Sequence, residues 1–297
     1  MAAEDRLLAR AGDTTGAVVD LTGVERVTRR KVRGHVLSEE QAGTLARIAV
    51  SGRQVDLLIG PAGAGKTTAM RALRAAWTAE HGTGTVIGLA PSAAAAQVLS
   101  ENLGIGCDNT AKWLHEHDRG RAGFERGQLV IVDEATLAGT LALDRLTGLA
   151  AEGGAKVLLV GDWAQLQSVD AGGAFWLLAE ARQDTPELTD VHRFTHEWEK
   201  TASLDLRHGR TEAIDTYLRH DRIREGSTEE MLDAAYAAWR ADLRVGRSSI
   251  LVTEARQVVV ELNQRARVEP PQRPTHPLSR WRVGPQRRPL AHHRNLG

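Results

Sequence analysis

The 297-residue chain holds a single cysteine, Cys107, so no disulfide can form within it. That excludes a disulfide-stapled extracellular scaffold and fits a reducing cytoplasm, with Cys107 read as an inert thiol. Neither sign of charge is in excess: 38 Lys and Arg stand against 38 Asp and Glu. A uniformly basic nucleic-acid binder is therefore excluded, and any DNA contact has to come from a local groove. No apolar run approaches the ~18 residues that would span a bilayer, so no membrane partner is expected. The opening "MAAEDRLLARAG" carries early acids and too short an apolar stretch for a signal peptide. Tyrosine chemistry is confined to two residues, Tyr217 and Tyr236. Lysine is scarce as well, at five of the 38 cationic residues. A lysine in a conspicuous place therefore asks for a reason.

The hydrophobic fraction is 42%, ample for a packed core. At roughly 150 residues per domain the length fits one or two domains. Residues 1–36 are weakly patterned and include the basic cluster "RVTRRKVRGH". "SEEQ" at 38–41 has capping-box form and predicts a helix to about Val50. Strand-length apolar segments then alternate with helical ones. The strands expected are 55–59, 84–90, 128–133, 155–161 and 248–253. The helices between them are expected at 66–79, 92–103, 139–151 and 173–182. Strands that are apolar throughout, separated by helices, predict an α/β fold with a parallel sheet covered on both faces. Residues 197–247 read as a helical connector. From 269 to 297 the chain holds six of its nine prolines and reads as a disordered Pro/Arg-rich tail.

"GPAGAGKT" fits G-x-x-x-x-G-K-[ST] at Gly60, Gly65, Lys66 and Thr67. It lies between an apolar strand and a helix, the context that a phosphate-binding loop requires. Pro61, Ala62, Gly63, Ala64 and Thr68 complete the loop. Backbone N–H groups and the following helix N-terminus would cradle phosphates. Lys66 would reach the β- and γ-phosphates of ATP, and Thr67 would ligate Mg²⁺. The blander reading is a glycine turn with a surface lysine. "LVIVDEAT" ends a second strand in two acids. Asp133 fits the Mg²⁺-organising role and Glu134 the activation of an attacking water. The alternative is a pair of helix-capping acids. "GDWAQ" follows a third strand and presents Gln165 as a γ-phosphate sensor, or else a polar turn. In "LTDVHRF", Arg193 is a candidate arginine finger, or else a surface arginine.

These motifs, in this order, resemble superfamily 1 helicases, and more closely the RecD-like helicase portion of TraA-type (MobF-class) conjugative relaxases. The similar segments also include "LSEEQAGTLARI", "GLAPSAAAAQVL", "NTAKWL" and "SILVTEARQVVVELNQRAR", so that the resemblance covers about residues 1–268. It implies a P-loop NTPase in which 37–196 form a RecA-like ATPase domain and 248–268 begin a second one. It implies that Gln41 reads adenine, beside or instead of its capping-box role. It also implies contact with single-stranded DNA near "APSAAAA" and Thr110, and relaxosome or conjugation proteins as partners. Where the family often has Thr and a basic residue, this chain has Ser92 and alanines. Trp113 and Trp163 could stack on bases or simply pack. A relaxase nicking domain is not expected in this chain: both tyrosines lie in the late helical region and "HEH" at 115–117 lacks a third histidine. His192 and His196 lack the glutamate of a zinc protease motif. The switch to the tail is expected to follow a frameshift that truncates the motor. A small-molecule kinase is disfavoured by "GDWAQ" and "VHRF".

Overall fold

The computed structural model describes residues 2–29, 36–165 and 173–268. Its first compact unit is Met1–Tyr217 and its second Leu218–Gly297. The first unit is built on five parallel strands: β1 (Val55–Ile59), β2 (Val86–Ala90), β3 (Gly106–Asn109), β4 (Leu129–Val132) and β5 (Lys156–Gly161). Their order is β1-β5-β4-β2-β3. Pairing in register sets Leu57 beside Leu159 and Leu158 beside Ile131. β1, β4 and β5 are buried along their whole length, which is why they read as unbroken apolar runs.

Helices cover both faces. α1 (Ala2–Gly12), α2 (Leu21–Thr28), α3 (Glu39–Val50), α4 (Lys66–His81), α5 (Ala93–Leu103), α6 (Thr110–Asp118), α7 (Thr140–Gly153), α8 (Ala174–Glu180), α9 (Glu197–Arg207) and α10 (Glu212–Arg219) follow the chain. Leu58, Ile131 and Leu158 pack under α2–α5, with Leu45, Trp77 and Leu99. Leu57, Val130 and Leu159 pack on the opposite face, with Leu7, Leu146 and Phe175. Adjacent residues of one strand thus serve two cores, as the pleat requires. All five strands run the same way, so their carboxyl ends share one edge, the edge where α/β sheets bind ligands.

Several expectations change. Within the weakly patterned first 36 residues, α1 and α2 form and pack on the sheet unit. α1 is fastened to α7 by Arg10 Nη1, which donates to Asp144 Oδ1 at 2.7 Å, and by Arg6 Nε, which donates to the same oxygen at 3.1 Å. Only Leu7 and Ala11 of α1 are buried, too sparse a stripe to read from sequence. β3 was not expected, because "GCDN" is half-polar and lies at the sheet edge. At the amino end of the sheet, Asp56 and Lys156, both fully buried, pair at 3.0 Å, with Arg182 at 2.8 Å from the same carboxylate.

The second unit contains α11 (Thr228–Arg244) and α12 (Arg256–Val268). The strand expected at 248–253 does not form. The segment has no ladder partner among the described residues, and Ile250 and Val252 are 86% and 83% exposed. The tail at 269–297, and "LQSVDAG" after Gln165 as far as Gly172, lie outside the described residues. No helix among the described residues is long and apolar enough to cross a membrane.

Candidate nucleotide site

The carboxyl ends of β1, β5 and β4 meet in a cleft of about 1120 Å³. β1 delivers the loop 60–65, and α4 begins at Lys66 with no side-chain cap. Gly63 and Gly65 have φ of +88° and +84°, which side-chain-bearing residues rarely adopt. At Gly63 there is also no room: a Cβ would lie 2.6 Å from Arg193 Cβ. The loop therefore bends as a phosphate cradle does, with the first amides of α4 unpaired within the helix. Lys66 Nζ donates to the carbonyls of Gly60 at 2.5 Å and Pro61 at 3.1 Å. Burial lowers the Lys66 pKa, and Asp162 and Asp133 oppose that shift.

Pro61, Ala62, Gly63, Gly65, Lys66 and Thr67 line the cleft; Gly60, Ala64 and Thr68 do not. Gln41 is not in the lining either. Its side-chain oxygen accepts from Ser38 N at 3.2 Å and its backbone N–H donates to Ser38 Oγ, completing the capping box. Its amide nitrogen packs against Gly65. Gln41 is therefore placed at the back of the loop, 6% exposed.

β4 is followed by Asp133 and Glu134, both lining the cleft. Burial raises the Asp133 pKa, against the hydrogen bond from Glu134 N and the charge of Lys66. Glu134 N donates to Asp133 Oδ1 at 3.0 Å. The other oxygen of Asp133 and the hydroxyl of Thr67 have no protein partner among the described residues, so both suit a hard cation. Glu134 sits at φ +51°, in the left-handed region. Such backbone costs about 1–2 kcal/mol for a residue with a Cβ, and strain of this kind gathers at functional sites.

β5 ends at Gly161, followed by Asp162. The Asp162 carboxylate accepts from Ala164 N at 3.1 Å and from Gln165 Nε2 at 3.1 Å. Arg207, from α9, lies 3.0 Å from Asp162 Oδ1 and 3.3 Å from Glu187 Oε1. Its guanidinium also lies 5.0 Å from the Trp163 ring. Asp162 and Arg207 are the functional candidates that motif reading passed over. Asp162 was visible in "GDWAQ", whereas nothing in "ASLDLRHG" marks Arg207. Arg193 lines the cleft beside Gly63, and has no ion-pair partner among the described residues. Its segment is held by Glu40, whose Oε1 accepts from Thr189 N at 2.7 Å and whose Oε2 accepts from Asp190 N at 3.2 Å.

The other candidates resolve into structure. Trp113 is 8% exposed and stacks on Phe124 at 4.0 Å, so it packs. Ser92 Oγ caps α5 by accepting from Ala95 N at 3.1 Å, and Thr110 donates to Ala90 O at 3.2 Å. Cys107 is half-buried and its pKa is pushed up to about 11 by burial, which fits an inert thiol. No metal-binding cluster of His, Cys, Asp or Glu occurs among the described residues.

A family model described as an AAA domain matches residues 36–228. Over 254 residues the chain is 34% identical to the conjugal transfer protein TraA of Rhizobium radiobacter, a match that covers 85% of this chain and 22% of that protein. Over 235 residues it is 33% identical to the probable conjugal transfer protein TraA of Sinorhizobium fredii, with coverages of 78% and 21%. Over 166 residues it is 39% identical to the ATP-dependent RecD2 DNA helicase of Deinococcus radiodurans, with coverages of 53% and 22%. The chain thus spans about a fifth of the length of these curated relatives.

Proposed function

The chain belongs to the AAA domain family, and from that premise we propose that it binds ATP with Mg²⁺ on the phosphate loop and hydrolyses it. The observation that carries the reading is the convergence of Lys66, Asp133, Glu134, Gln165 and Arg193 on one cleft, from four separate segments of chain. The loop amides and Lys66 bind the phosphates. Thr67 and Asp133 would hold Mg²⁺, which supplies neutralisation of phosphate charge. Glu134 takes the proton of the attacking water, and Gln165 and Arg193 stabilise charge developing on the γ-phosphate. Gln41 meets the adenine only if its amide leaves the back of the loop.

The coupled substrate we propose is single-stranded DNA, in the cytoplasm, within a conjugative DNA-transfer assembly. The TraA and RecD2 relatives support that class. A second reading is a nucleotide-binding module that docks on a relaxosome or on longer relatives without turnover. The segment at 248–253, which pairs with no strand among the described residues, favours it. Steady-state ATP turnover with and without single-stranded DNA, beside Lys66→Ala, separates the two. DNA-stimulated turnover that disappears in Lys66→Ala supports the motor. Nucleotide binding without turnover supports the module, and no nucleotide binding refutes both.

A further inference from the structure

We propose that Arg207 is a positioning residue that fixes which end of the Gln165 amide faces the cleft; the proposal rests on the nucleotide-hydrolase reading above. A carboxylate can only accept hydrogen bonds, so the Gln165 group 3.1 Å from Asp162 Oδ2 must be its NH₂. The amide oxygen is then the free end, an acceptor for the O–H of a water. Sequence alone leaves the glutamine able to donate or accept, and Asp162 decides between the two. Asp162 is only 5% exposed, and a buried carboxylate needs a counter-charge. Arg207 supplies it at 3.0 Å, with its own side chain 7% exposed.

The same guanidinium reaches Glu187. Glu187 bridges in parallel to Ile59, the residue before the phosphate loop, and the chain runs from there to Arg193. The indole of Trp163 covers the guanidinium. Arg207 therefore ties together the sensor loop after β5 and the arginine-bearing segment beside β1. Without it, Asp162 would be a buried charge free to turn toward Lys66, and the grip on Gln165 would be lost.

The test uses Arg207→Met, Arg207→Lys and Gln165→Ala in the full chain. Affinity is read with a fluorescent ATP analogue, hydrolysis in a single turnover, and loop order by amide hydrogen exchange over 161–165. Arg207→Met should keep nucleotide affinity within about threefold, slow hydrolysis at least tenfold, and speed exchange in the loop. Arg207→Lys should restore part of the exchange protection and part of the rate. Adding Arg207→Met to Gln165→Ala should slow hydrolysis no further, because the two act as one unit. Equal losses of affinity and rate, additive losses with Gln165→Ala, or unchanged loop exchange would each overturn the proposal. If Arg207→Met does not fold, Arg207→Lys is read in its place. If the unmodified chain binds ATP without turnover, the hydrolase reading fails, and the exchange data alone decide whether Arg207 holds the loop.

Discussion

Asp56→Ala should be among the most damaging single substitutions in the sheet unit, although it lies far from the cleft. Asp56 and Lys156 are fully buried on neighbouring strands β1 and β5, and Arg182 is 8% exposed. The Asp56 carboxylate accepts from Lys156, Arg182 and Ser51. Its removal leaves Lys156 buried with no acid beside it, and Arg182 with only the exposed Asp184, 3.3 Å away. Breaking a buried pair in this way costs about 3–5 kcal/mol. At ~2–4 °C per kcal/mol for a unit of this size, the melting temperature falls by about 6–20 °C. Burial already lowers the Lys156 pKa, opposed chiefly by Asp56, so the substitution should lower it further. The native state then binds fewer protons than the unfolded chain between that lowered value and the ordinary lysine range. Its deficit should therefore shrink as pH rises through this window. Urea melts followed by circular dichroism at pH 7 and pH 9.5 measure both effects. Asp56→Leu combined with Lys156→Met should recover much of the loss, since an apolar pair of similar size needs no counter-charge. A pH 7 loss below about 1 kcal/mol for Asp56→Ala, or a double variant no better than the single, would refute the argument.

Four further outcomes follow from the geometry. Glu134→Gln should keep ATP binding and lower turnover about 100-fold or more, the range of a lost general base, as read by phosphate release. Glu134→Gly should lose turnover too, yet raise stability by about 0.5–1 kcal/mol, because glycine relieves the left-handed backbone at φ +51°. Asp144→Asn should cost about 1–2 kcal/mol at pH 7; hydrogen bonds from Arg6, with Arg10 adding, hold the Asp144 pKa below the usual range. That contribution is present above the unfolded value and lost as pH falls through the folded one, so the two proteins should converge in urea melts near pH 2. Cys107, shifted from 9.0 to about 11, should react with a disulfide reagent at pH 8 about 100-fold more slowly than a free thiol, because only the thiolate attacks.

The sheet was legible because its physics is local. "VDLLI", "LVIV" and "KVLLVG" are apolar runs bounded by glycine and polar turns, and α3, α5 and α6 carry their own side-chain caps. What was not legible depends on distant partners. Lys156 sits in an apolar run, and only Asp56, a hundred positions earlier, explains how it can be buried there. α1 looks featureless until Asp144 gathers Arg6 and Arg10 onto α7. The run at 248–253 has the composition of a strand, but composition cannot supply a neighbouring strand. The run pairs with no strand among the described residues, and Ile250 and Val252 stay exposed.

The candidate site divides along the same line. Asp133 and Glu134 announce themselves as acids directly after an apolar strand, and Lys66 as a lysine between a glycine-rich loop and a helix. Their meeting follows from parallel strands that share one carboxyl edge. Gln165 and Arg193 were named as candidates, but their orientation was hidden, since it depends on side chains elsewhere. Glu40 holds the backbone at Thr189 and Asp190, three residues short of Arg193. Arg207 holds Asp162, and Asp162 holds Gln165. Both anchors are charged residues on helices, α3 and α9, whose sequences look like ordinary solvated faces. A motif therefore identifies the groups that would touch the nucleotide. The groups that aim them are ion pairs between segments far apart in the chain, and only the fold brings those pairs together.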